Sequence, residues 1–280
     1  MPAVPNDLPV LGSDDEADKE AQLLLSGVTE QRSTLRWRAV AGLAATLGIA
    51  AGAALAWPGG RALPRASVAD AAEMVELQSC LCVFDVDRTL TGKQGWRGKC
   101  PQNYEVAGSK DTAYGQGTLL LSEFAQNMDK TFCGQCYHGI VTAGQASGPG
   151  SDERAEILRR LGGTKHTRSD WWQDVSFNPA AEVRSSLVLQ AKDGMKQEAV
   201  KSMLRWWKSD QHIDFKPEDV HFFDDVRANV QPFEGTGFNA RQISCGVRGV
   251  IEWGGMFEGQ VGGCGATASE VVADKGVKLC

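Results

Sequence analysis

The first 79 residues contain no cysteine, although the chain has eight. These are Cys80, Cys82, Cys100, Cys133, Cys136, Cys245, Cys264 and Cys280. An even number confined to one part of a chain suits disulfides in an oxidising compartment; scattered thiols in a reduced cytosolic enzyme are the alternative. The sequence also lacks an excess of positive charge, with 29 Lys and Arg against 35 Asp and Glu and a net charge of -6. Its basic clusters are short. No stripe is available to neutralise a phosphate backbone, which argues against nucleic acid as the main partner. No internal repeat at solenoid or propeller period is present. The 280 residues are therefore expected to form one α/β domain of about 200 residues plus an appendage.

Charge is absent from residues 39–56, AVAGLAATLGIAAGAALA. Helical geometry carries this stretch ~27 Å, close to the ~30 Å hydrocarbon core of a bilayer. Trp37 and Trp57 bracket it, Arg32, Arg36 and Arg38 precede it, and Arg61 and Arg65 follow. This pattern predicts a single membrane-spanning or signal-anchor helix over 37–57, with the rest of the chain lumenal or extracellular. Ala54-Leu55-Ala56 also fits a cleavage site, and cleavage near Ala56 would release an exported or plastid-targeted soluble protein. Residues 1–36 are Pro-rich and then acidic, and are expected to be a disordered tail. Within them, Glu20-Ala21-Gln22-Leu23-Leu24-Leu25 fits either a loose acidic dileucine sorting signal or a short amphipathic turn. Residues 58–78 read as a linker with a short helix over 68–77.

The folded body is expected over 79–250, followed by a Gly- and Cys-rich tail over 251–280 with no readable structure. It opens with Cys80-Leu81-Cys82-Val83-Phe84-Asp85-Val86-Asp87-Arg88-Thr89-Leu90-Thr91. An apolar run that stops at two carboxylates reads as a buried strand ending at the carboxyl edge of a sheet, where ligands of open α/β sheets sit. Side chains at i and i+2 of an extended chain point the same way, so Asp85 and Asp87 can converge on one ligand. Alone, this pattern is equally a strand followed by an Asx-type turn. Residues 92–117 read as a long polar loop or small flap stapled by Cys100, and 118–129 as a helix. A strand over 137–141 leads to Thr142, and a helix over 151–161 is closed by Gly162-Gly163. Further strands are expected over 185–190, 220–223 and 238–244, with an amphipathic helix from Lys196 through Trp207.

Strands alternating with helices imply a parallel sheet whose carboxyl ends share one edge. That edge would gather Asp85, Asp87, Thr142, Lys196, Asp224 and Asp225, the nucleophile, acid, hydroxyl, cation and carboxylates that phosphoryl transfer needs. Lys192 competes with Lys196 for the cationic role; Lys196 is preferred because it directly precedes Ala199, Val200, Met203 and Leu204.

Over roughly 80–245 the chain resembles the haloacid dehalogenase-like hydrolase superfamily, phosphatase branch. The motifs are CVFDVDRTLTG, GIVTAG with Thr142, KDGMKQEAVKSML with Lys196, and VHFFDDVRANV with Asp224 and Asp225. The resemblance implies a Rossmann-like parallel sheet with helices on both faces, and Asp85 as a nucleophile forming an aspartyl-phosphate. It further implies Asp87 as general acid and base, and Thr142 and Lys196 as phosphate ligands. Mg2+ would be held by Asp85, Asp87 through its carbonyl, Asp225, and Asp224 as a hydrogen-bonding neighbour or further ligand, with Asn229 supporting the loop. The substrate would be a phosphorylated small molecule or a phosphopeptide. No stretch suits a folded helical cap, so a capless or small-flap enzyme is expected.

Three other readings stand beside this one. Cys133-Gly-Gln-Cys136 invites thiol-redox chemistry, but it follows a helix and precedes a strand, which is the wrong context; a structural disulfide is preferred. Cys80, Cys82, Cys133 and Cys136 are a conceivable zinc set, ranked below disulfides. A membrane-tethered binding protein on the same fold is the third. His166, Arg168, Trp171 and Trp172 are a candidate substrate-contact cluster, with loop packing as the alternative.

Overall fold

The structure is a computed structural model that describes residues 77–172, 177–178, 182–246 and 261–280. The expected tail, membrane span, linker and, apart from Leu77, the short helix over 68–77 lie outside the described residues. Among the described residues no helix is long and apolar enough to cross a membrane.

An α/β fold is present. Six parallel strands form the main sheet: β1 (Leu81–Phe84), β4 (Tyr137–Val141), β5 (Leu187–Val188), β6 (Val220–Asp224), β7 (Asn239–Gln242) and β8 (Val277–Lys278). Their order is β5-β4-β1-β6-β7-β8, so β1 lies inside the sheet between β4 and β6. Every residue of β1 is buried, as expected of a parallel strand covered on both faces.

Alternation along β1 divides the core. Leu81 and Val83 pack with Val200, Met203 and Trp207 of the helix α4 (Lys196–Asp210). Cys82 and Phe84 pack on the other side with Phe124 and with Ile157 of the helix α2 (Asp152–Arg160). Ser151 caps α2 by accepting from Arg154 N at 3.3 Å. At its other end Gly162 takes φ +77, and Gly163 N donates to Leu158 O at 2.8 Å, closing the helix where the sequence predicts, ahead of the one-turn helix α3 (Thr164–Thr167).

The interval after the first motif differs from expectation. Residues 104–111 and 117–121 form an antiparallel hairpin, β2 (Tyr104–Asp111) and β3 (Gly117–Leu121), outside the main sheet. Residues 118–121 of the helix expected over 118–129 are therefore strand, and within that range only α1 (Glu123–Gln126) is α-helical. Three consecutive leucines carry no period, and their partner strand is exposed along most of its length, so neither half shows the alternation that marks a half-buried strand. Ser122 ends the strand and starts α1 by accepting from Ala125 N at 3.1 Å.

The C-terminal residues 261–280 belong to the same compact unit rather than forming a separate tail. β8 pairs with β7, and disulfides join Cys245 to Cys280 and Cys100 to Cys264. The other two disulfides are Cys80–Cys136 and Cys82–Cys133. Cys133 and Cys136 are thus not bonded to each other; each is tied back to the first strand, and all eight cysteines are paired.

Candidate active site

The chain runs outward from β1 to β4 and β5, then crosses back to β6 on the other side of β1. This reversal opens a crevice at the carboxyl ends of the strands, where α/β sheets place their ligands. Asp85 extends β1 by one residue, its N donating to Phe223 O at 3.0 Å. The backbone then makes a wide turn over Val86–Leu90 in which Asp87 is extended and Arg88 takes φ 63. Thr91 N closes the turn on Val86 O at 3.0 Å. Asp85 is buried and Asp87 half-buried, and both line one cavity of about 270 Å³ with Thr142, Lys196, Asp225 and Tyr114.

Lys196 is the first residue of α4 and is 1 % exposed. Its Nζ donates to Asp85 Oδ1 at 2.7 Å and to Asp224 Oδ2 at 2.6 Å. Burial works against its charge, but Asp224 and Asp85 beside it hold the ammonium above its ordinary range. Lys192 is exposed and, among the described residues, forms no ion pair with Asp85 or Asp224.

Asp224 ends β6 with both oxygens engaged. Oδ1 accepts from Val226 N at 2.7 Å, and Asn229 Nδ2 reaches Oδ2 at 3.1 Å beside the lysine. Asn229 also accepts from Gly194 N at 2.8 Å, coupling the loop before α4 to the loop after β6. Asp225 Oδ2 accepts from Gly262 N at 2.8 Å, and its carbonyl accepts from Gln242 Nε2 at 3.0 Å. Thr142, buried at the end of β4, accepts from Gly144 N at 3.3 Å.

Asp85, Asp224 and Asp225 each offer a carboxylate oxygen, and these lie within 4.8 Å of one another. All three side chains are buried. Burial, opposed by Lys196, pushes Asp224 up to about 7; burial and the charges of Asp224 and Asp85 push Asp225 well above the carboxylate range. Burial and the charges of Asp85 and Asp111 push Asp87 up to about 7. One lysine cannot balance so many acids. The set is all hard oxygen at close spacing, and it could hold a small divalent cation.

The six predicted site residues thus meet at one edge of the sheet. The candidate substrate-contact cluster does not join them. His166 bonds Cys136 O through Nδ1 at 2.9 Å and stacks on His138; Trp171 donates to Arg154 O at 3.1 Å. Arg168 lies over the ring of Tyr137. These residues pack loops.

Sequence reasoning missed Tyr114, Asp193, Val261 and Gly262. The Tyr114 ring lies 4.5 Å from the Arg88 guanidinium, and burial together with Asp87 and Asp225 keeps its phenol protonated. Asp193 accepts from Asn229 Nδ2 at 3.0 Å, a contact implied by no local pattern. Val261 and Gly262 arrive from the far end of the chain, and only docking of that end brings them in.

No protein-family model matches the chain, and no curated protein is similar to it. A solved structure of a hypothetical protein from Xanthomonas campestris is similar over 57 % of this chain, with 17 % identity and a TM-score of 0.31. The match spans 63 % of that protein's length. A likeness at this level carries no inference about activity.

Proposed function

We propose that the chain is a Mg2+-dependent phosphomonoester hydrolase on a haloacid dehalogenase-like, Rossmann-type fold. The observation that carries this reading is Lys196 held between Asp85 and Asp224, with Asp225 beside them, at the carboxyl edge of a parallel sheet. Lys196 engages Asp85 Oδ1, which leaves Oδ2 as the oxygen offered to phosphorus.

In the first step Asp85 attacks phosphorus in line with the ester oxygen. The P–O ester bond breaks, and Asp87 gives its proton to the departing oxygen. In the second step Asp87, now ionised, takes a proton from water; the resulting hydroxide attacks phosphorus and releases Asp85 and inorganic phosphate. Thr142 donates its hydroxyl to a phosphoryl oxygen, and Lys196 supplies a point charge. When bound by Asp85, Asp225, the Asp87 carbonyl and, as neighbour or further ligand, Asp224, Mg2+ supplies charge neutralisation for the phosphoryl oxygens.

The site is bordered by a small hairpin rather than a helical cap, which suits a phosphorylated small molecule or a phosphopeptide. Four disulfides support placement in an oxidising compartment, lumenal or extracellular, with residues 39–56 as membrane anchor or export signal.

The test is hydrolysis of a generic aryl phosphate by the disulfide-intact protein with Mg2+. Turnover should appear with Mg2+, vanish with chelator and fall to background in Asp85→Asn. A folded protein that hydrolyses no member of a panel of phosphorylated metabolites and phosphopeptides would instead be a binding protein on this fold.

A further inference from the structure

Asp87 also borders a second cavity, of about 390 Å³, whose wall includes Asp111, Ser147 and Glu153. Asp111 is the last residue of β2, and Glu153 lies in the first turn of α2. A carboxylate oxygen from each of Asp87, Asp111 and Glu153 lies within 4.8 Å of the others.

Glu153 supplies the independent observation. Its residue is 1 % exposed. Oε2 accepts the Ser147 hydroxyl, whereas the buried Oε1 has no hydrogen-bond partner. A buried acceptor left without a partner is costly, and an ion or a water at the site is one way to satisfy it. The nearest arginine on the same helix does not supply it: Arg154 donates through Nε and Nη2 to Gln145 O at 3.0 and 2.7 Å.

The geometry narrows the ligand. A divalent cation takes an oxygen from each of the three side chains, beside the Arg88 and Arg154 charges that already act on Asp87 and Glu153. The cavity leaves room for water to complete the coordination sphere. Three carboxylates from a hairpin, a turn and a helix, with room for several waters, suit the six to eight oxygen ligands of Ca2+ better than the strict octahedron of Mg2+. We propose that Asp87, Asp111 and Glu153 form a second divalent-cation site, of the Ca2+ class, that ties the hairpin to α2 and to the first motif. The site stands on its own residues. Its effect on catalysis rests on the phosphohydrolase reading: an occupied site withdraws Asp87 from proton transfer, so Ca2+ inhibits hydrolysis.

The experiment is equilibrium dialysis of the full, disulfide-intact chain against Ca2+ with Mg2+ in excess to fill the first cluster. One Ca2+ per chain is expected. Glu153→Gln, which keeps the size of the side chain, should weaken binding at least about 10-fold, while Asp225→Asn leaves it in place. Equal binding by wild type and Glu153→Gln would overturn the proposal, as would loss of binding in Asp225→Asn with retention in Glu153→Gln. If Glu153→Gln lacks a cooperative melt, Asp111→Asn takes its place with the same two outcomes. The dialysis result is independent of turnover, so the two readings fail separately.

Discussion

Asp87 is the residue on which the proposed chemistry and its pH dependence turn. Burial first, and then the charges of Asp85 and Asp111, push its carboxyl up to about 7. A general acid must carry its proton when the ester bond breaks, so the protonated fraction falls as pH rises through that value. Hydrolysis of an alkyl phosphate, whose leaving oxygen needs the proton, should therefore decline above pH about 7, while acidification below that value does not remove this proton. Replacing Asp87 with Asn should lower kcat by about 100- to 10,000-fold and flatten the alkaline limb. A pH profile of kcat for the wild type and Asp87→Asn checks both. An aryl substrate with a good leaving group should lose less, because it departs without full protonation. A limb that persists unchanged in Asp87→Asn would assign it to another group.

At the scale of elements, two disulfides join β1 and the residue before it to the single turn over Phe132–Gln135 and the residue after it. They are nested: Cys80–Cys136 spans 56 residues and Cys82–Cys133 spans 51. Each restricts almost the same loop of the unfolded chain, so either alone removes most of the loop entropy that both remove. Removing one pair should cost only the packing of its sulfurs, about 1 kcal/mol, whereas removing both should cost about 6 kcal/mol, the shared loop entropy of about 4 plus the two packing losses. Urea unfolding of Cys80→Ala/Cys136→Ala, Cys82→Ala/Cys133→Ala and the fourfold variant measures this non-additivity. Additive losses would mean that each bridge acts through native-state packing. The same strand delivers Asp85, so the nested pair fixes the strand that carries the proposed nucleophile.

Across the whole molecule, the C-terminal residues act as a strap over the first motif. Ala266 N donates to Thr89 O at 2.9 Å, Phe124 N donates to Ala266 O at 3.0 Å, and Lys93 N donates to Gly263 O at 2.8 Å. Gly265 sits within this contact at φ +74, and a Cβ there would lie 2.5 Å from Thr91 O and 2.7 Å from Ser122 Cβ. Both the backbone conformation and the space demand glycine. Gly265→Ala should destabilise the fold by about 2–3 kcal/mol and lower Tm, since the clashing atoms are backbone or close to it. Because Gly262, three residues earlier, donates to Asp225, the same change should weaken Mg2+ binding measured by calorimetry. Weakened binding without a stability loss, or the reverse, would separate the strap's two roles.

The linear sequence was enough to place β1, β4, β6 and α4, and the residues at their ends, because each is a short apolar run that stops at polar side chains, or a 3.6-residue period with a clear start. That period favours Lys196 over Lys192, and Lys196 is the lysine that lies buried between Asp85 and Asp224. The hairpin was not legible, since Leu119, Leu120 and Leu121 fit a helix as well as a strand and β2 is too exposed to alternate. Nor was the disulfide pairing, because four pairs among eight cysteines depend on which strands lie side by side. Tyr114, Glu153 and Gly262 owe their places to contacts between segments far apart along the chain. Periodicity is a local property and can be read from neighbours in sequence, whereas burial against a distant segment exists only once the sheet, the hairpin and the C-terminal strap have closed around the same edge.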